Sequence, residues 1–187
     1  EESVLDKDIQ KVLDDAIIRL EKSRFYNKNF SQKIFICNNS IEDFFFSGPS
    51  YRSLAINHPV TNNIVVSNLK ERNKVRSLES IVAHETTHTL LRNKLGVVEV
   101  NFKMPRWKNE GYCEYISQES SLKEEVGLEI LCDKSTENKT PEFAYFLNKK
   151  ITEQGLKESK DHFSDWFNKS IDRDSMIIII QKKYCAQ

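Results

Sequence analysis

Apolar residues recur at 3-, 4- and 7-residue spacing through Leu78, Ile81, Val82, Leu90, Leu91 and Leu95, and they enclose His84-Glu85-Thr86-Thr87-His88. That spacing marks a helix with one buried face, and it predicts a helix from about Lys74 to Lys94 that stops at Gly96. A helix places positions i and i+4 nearly above one another. His84 and His88 can therefore grip one ion, and zinc accepts imidazole nitrogens at roughly 2.0–2.1 Å. Glu85 lies one step round from His84, where it can act on a water at that ion as a general base. The ordinary alternative is a pair of solvent-facing histidines on an amphipathic helix. The apolar neighbours argue against it, because they make this a core element that carries polar chemistry inward.

A catalytic zinc needs a third protein ligand and one open position. Reprolysin- and astacin-like chains place a histidine six residues on, after a glycine; here Leu91 and Lys94 hold those two positions, so that class is excluded. The other common solution is a glutamate on a second helix. Glu110 follows His88 by 22 residues, within Met104-Pro105-Arg106-Trp107-Lys108-Asn109-Glu110-Gly111-Tyr112-Cys113-Glu114-Tyr115. That is room for a loop and a returning helix. Glu114 sits one turn beyond Glu110 on the same face, where a carboxylate can hold the outer nitrogen of a metal-bound histidine.

Pro105, Trp107, Glu110, Gly111 and Glu114, following the His-Glu-x-x-His motif, resemble the Pro-x-Trp-x-x-Glu-Gly-x-x-Glu signature of gluzincin metallopeptidases. The chain is most similar to the small bacterial peptidase MA-like domains, distant relatives of thermolysin, and Asn109 before Glu110 resembles the Asn-Glu pair of thermolysin-like enzymes. The motif match covers about residues 75–118. The resemblance implies zinc held by His84, His88 and Glu110, with Glu85 as base and Glu114 behind the ligands. It implies hydrolysis of a peptide or protein substrate. It also implies a zincin-like arrangement, in which a helical C-terminal part faces the sheet and the active-site helix across a cleft. The Gly-x-Met-Glu-Asn motif of aminopeptidases is missing, so a free-amine anchor is not supported.

An oxyanion donor is also expected from the C-terminal part. Tyr145 and His162 are the candidates. The plainer readings are a core tyrosine in the Phe143-Ala144-Tyr145-Phe146 helix face and a surface histidine beside Asp161. His58, next to Pro59, reads as a solvated turn residue. Two further classes stay open: a zinc-containing binding or regulatory domain without proteolysis, and a structural zinc site closed by a fourth protein ligand.

The coarse organisation is α+β. A helix of about twenty residues opens at Ser3, with Leu5, Ile9, Val12, Leu13, Ala16, Ile17 and Leu20 on one face. Strands are expected at Lys33–Cys37, Leu54–Asn57 and Asn63–Ser67, the last two joined through a Pro59–Asn62 turn. The strand Ile64–Ser67 is the expected substrate-binding edge, to which an extended peptide could add. A short helix over Ile41–Phe46 should end at Gly48-Pro49. Residues 97–105 read as an irregular connector. Beyond Trp107 the chain reads as helix almost to its end, with Thr140-Pro141-Glu142 as a helix start. Residues 1–187 are expected to form one zincin-like domain, with sheet and active-site helix over about 1–96 and a helical part over about 105–187.

The 28 basic residues balance the 28 acidic ones, so no basic field favours nucleic acid or anionic lipid. Met176-Ile177-Ile178-Ile179-Ile180 is far short of the roughly 20 apolar residues of a spanning helix and reads as a buried helix turn or strand. No signal peptide is legible, and the chain opens at Glu1. An exported or cell-envelope location is slightly favoured over the cytoplasm. Cys37, Cys113, Cys132 and Cys185 allow three disulfide pairings and contain no Cys-x-x-Cys; Cys113 reads as a packed thiol.

Overall fold

Three short strands, each with at least one isoleucine, meet in one small mixed sheet. The computed structural model describes residues 4–37, 39–48, 53–59, 61–67, 76–133, 140–159, 166–167 and 170–185. Strand β1 (Ile34–Ile36) runs parallel to β3 (Ile64–Val66), and β2 (Ala55–Asn57) runs antiparallel to it. Ile34 lies opposite Ile64, and Asn57 lies opposite the same residue from the other side. The strand order β1-β3-β2 makes β3 the central strand. The expected substrate-binding edge at Ile64–Ser67 is therefore corrected: β3 is paired on both sides and fully buried, so it has no main-chain edge to offer. β2 and β3 form a hairpin closed by His58 and Asn63, with Asn62 at φ 57°, a left-handed conformation that Asn tolerates.

The chain divides into two units, residues 1–101 with 116–119 and residues 102–115 with 120–187. In the first unit, helix α1 (Val4–Leu20) packs on helix α3 (Leu78–Leu95), and α3 packs on β2 and β3. Leu78 and Ile81 of α3 meet Ile64, Val66, Ile34 and Ile36 in an apolar cluster. Helix α2 (Ser40–Ser47) is capped by the Asn39 side chain, which accepts from the amides of Ile41 and Glu42, and it stops at Gly48 at φ 56°. Ser77 caps α3, so this helix starts later than Lys74, with Arg76 and Ser77 outside it.

A partly buried polar knot ties the ends of these helices. Arg19 of α1 donates to Glu119 at 2.8 Å and to the Ser117 carbonyl. Glu119 accepts from the Ser77 amide at 2.9 Å and the Ser77 hydroxyl at 2.8 Å. Arg76 donates to Ser80 and to Ser117 at 2.9 and 2.7 Å.

The expected irregular connector after Gly96 is instead a π-helical turn over Glu99–Lys103, in which Val100 is buried. The second unit is helical. Helix α4 spans Arg106–Ser117, its last two residues belonging to the first unit. Helices α5 (Glu124–Cys132), α6 (Pro141–Glu158) and α7 (Arg173–Tyr184) follow. Thr140 caps α6 and Pro141 stands in its first turn, as the sequence suggests. The single helical reading beyond Trp107 breaks at Gln118, whose φ of 66° turns the chain.

Leu131, Leu147, Ile151, Trp166, Met176 and Ile180 form the core of this unit. The run Met176–Ile180 is therefore a helical face, with Ile178 and Ile179 outward. Lys150 is buried and pairs with Glu124 at 2.7 Å and Glu153 at 3.3 Å. Cys132 and Cys185 form a disulfide joining the ends of α5 and α7, while Cys37 and Cys113 are buried thiols. Among the described residues the fold is α+β and mostly helical, with no helix long and apolar enough to cross a membrane.

Candidate metal centre

His84, Glu85 and His88 all lie on α3, in its middle two turns. His84 is buried and His88 half-buried. Their ring centroids are 5.0 Å apart with planes 76° to each other. Two imidazoles at that spacing can aim one nitrogen each at a common ion, so the pair fits a zinc site by geometry and by donor chemistry. Glu85 between them is half-buried, which suits a base that must reach water. Thr86 and Thr87 fill the two intervening positions and are buried; Thr87 donates to the Ala83 carbonyl at 2.7 Å, so its hydroxyl is satisfied within the helix.

The other side of the motif is held by a polar network that the sequence does not announce. The Asn57 amide donates to the Glu85 carbonyl and, at 2.6 Å, to the Thr89 hydroxyl. Its oxygen accepts from Arg92. Gln32 donates to Thr89 at 2.9 Å and to the Asn62 carbonyl, and Arg92 reaches Asn62 at 3.3 Å. Asn57 is 28 residues from Glu85 in the chain, so no local pattern could reveal the pairing.

In the second unit, Glu110, Cys113 and Glu114 share one face of α4 at i, i+3 and i+4. Glu110 is half-buried and pairs with Arg106 at 3.8 Å, one turn earlier. This partner is readable from sequence as an i,i+4 pair. Glu114 is 1% exposed, so its carboxylate is committed to the protein interior and not to a surface salt bridge. The Cys113 thiol is buried and donates to the Asn109 side chain at 3.9 Å.

Tyr145 on α6 is half-buried. Burial, reinforced by the nearby Glu110 charge, holds its phenol above the ordinary range against the opposing effect of Arg106. The hydroxyl thus keeps its proton and stays a donor. Lys149, one turn further on, is pulled below the ordinary lysine range by burial, while Glu153 and Glu114 act against that. His162 lies outside the described residues. His58 places its Nε2 3.1 Å from the Phe46 carbonyl, which ties the hairpin turn to the end of α2.

The structure thus groups His84, Glu85 and His88 on one helix of the first unit, and Glu110, Glu114 and Tyr145 on neighbouring helices of the second. Comparison with family models, with curated proteins and with solved structures finds no match.

Proposed function

We propose that the chain is a zinc-dependent metallopeptidase of the gluzincin type, with one zincin-like catalytic domain. The observation that carries this is the His84–His88 pair, 5.0 Å apart on a buried helix with Glu85 between them. His84 and His88 would supply two ligands, and the third would come from α4. Glu110 is the donor that the gluzincin resemblance favours. Cys113 is the competing donor on the same face, because two imidazoles and a thiolate also suit a metal ion. Bound there, zinc would supply Lewis-acid polarisation of a scissile carbonyl and acidify a water.

The chain's own residues would do the rest. Glu85 would take the proton from the water and deliver it to the leaving amine. Tyr145, protonated and within reach of the Glu110 charge, would donate to the developing oxyanion. Glu114, buried on the face of α4, would orient a ligand histidine. His162 stays a second candidate donor from its sequence position alone. The substrate would be a peptide or protein. The Cys132–Cys185 disulfide favours an exported or cell-envelope setting, where such bonds persist.

The test is zinc content by elemental analysis of the parent protein and of Glu110→Gln and Cys113→Ser. The proposal expects one zinc per chain in the parent, loss in Glu110→Gln and retention in Cys113→Ser. The reverse pattern would assign the third ligand to the thiol. Loss in both would mean a closed, structural site and would overturn the peptidase reading, as would a parent that binds no zinc.

A further inference from the structure

We propose that Asn57 is a positioning residue for Glu85: its side-chain amide sets the rotation of α3 about its own axis and so the place of the carboxylate. This rests on the peptidase reading. The need for such a device follows from how α3 is held. Its apolar contacts with the sheet, through Leu78 and Ile81, are non-directional. A helix on an apolar bed can roll. With side chains at a radius of about 5–6 Å, a roll of about 10° moves a carboxylate by about 1 Å. A displacement of about 1 Å at a reacting group costs on the order of a hundredfold in rate. Hydrogen bonds are directional and resist the roll.

Beyond the bonds at Ser77 and Ser80, which hold only the first turn, the described structure places such bonds at Glu85, Thr89 and Arg92, which form one stripe of α3. Asn57 touches all three. It donates to the carbonyl of the base itself and to the Thr89 hydroxyl, and accepts from Arg92. Gln32 and Asn62 brace the same points from the approach to β1 and from the hairpin turn. Asn57 is also the last residue of β2, an outer strand of the sheet. The base is thereby referenced to the sheet through one side chain.

Asn57→Asp tests this. The aspartate keeps the acceptor for Arg92 and loses the donor to the Glu85 carbonyl, at unchanged size. The roll carries His84 and His88 along with Glu85, so zinc should stay at one per chain while the base shifts against the substrate. The expected result is a kcat about 10–100-fold lower and a KM within about twofold of the parent. In the Glu85→Gln background the same change should add no further loss, because its effect passes through Glu85. Amide hydrogen exchange over residues 85–92 should be faster in Asn57→Asp, a readout independent of turnover. Thr89→Val, which removes one point of the clamp at matched shape, should lower kcat in the same direction by a smaller factor. Full activity in Asn57→Asp, or an equal further loss when Glu85 is already replaced, overturns the inference while leaving the peptidase reading intact. A parent that cleaves nothing, and matches Glu85→Gln in that, overturns the reading and the inference together.

Discussion

Glu119 belongs to no motif, yet it receives the amide and hydroxyl of Ser77, the cap of the motif helix, and the guanidinium of Arg19. Burial opposes its charge, but the Ser77 amide, the Arg19 guanidinium and the Ser77 hydroxyl outweigh it, so its carboxyl sits below the ordinary range. A depressed folded pKa contributes stability that is present above the unfolded value, near about 4.3, and is lost as pH falls through the folded value. Glu119→Gln should therefore destabilise the protein at pH 7 by about 1 kcal/mol, a figure already reduced for partial solvent screening. Urea unfolding at several pH values checks this. The gap between parent and variant should close as pH drops below about 4; a gap that persists at pH 3 would show that packing, not charge, is the cause. None of these partners was legible beforehand, because Arg19 and Glu119 are 100 residues apart. His84, Glu85 and His88 were legible, because a helix converts a four-residue interval into a shared face.

Gly111 shows what separates an element that packs from one that only forms. A Cβ at this position would lie 2.4 Å from the Thr152 hydroxyl and 2.5 Å from the Asn148 carbonyl oxygen. The second neighbour is backbone and cannot step aside. Gly111 thus lets α4 approach α6, which carries Tyr145 towards the Glu110 face. Gly111→Ala should destabilise the protein by about 1–3 kcal/mol through overpacking, measured by chemical denaturation. An unchanged denaturation midpoint would mean that the two helices are not in close register there.

The sequence supplied the Glu-Gly pair, and the structure supplies the reason for its glycine. The helix start at Thr140 was readable because a cap is local chemistry, and the Asn39 cap of α2 is the same chemistry found only in the structure. The strands were readable at nearly their observed limits, but their order was not. Pairing between β1 and β3 spans about thirty residues and leaves no periodicity to read. That is why Ile64–Val66 passed for an edge when it is the centre. The π-helical turn at Glu99–Lys103 was missed because a wide turn has no residue signature of its own.

At the scale of the whole molecule, the two units are stabilised by different means. The first relies on the sheet, α1 and a polar knot; the second relies on an apolar core closed by the Cys132–Cys185 bond. That bond links positions 53 residues apart, so it should contribute about 2–4 kcal/mol by restricting the unfolded chain. Reduction should lower the thermal midpoint in a calorimetric scan, and Cys132→Ser should reproduce the shift. A midpoint indifferent to reductant would show that the bond carries no stability.

The central claim is that Glu85 is a base in peptide hydrolysis and not a ligand or a bystander. The most direct measurement is cleavage of a broad peptide library, read by mass spectrometry, by the parent and by Glu85→Gln at equal zinc content. The account predicts that the parent cuts, and that the variant keeps its zinc while losing several orders of magnitude in rate. Cleavage that survives the substitution unchanged, or a zinc-loaded parent that cuts nothing, would contradict it.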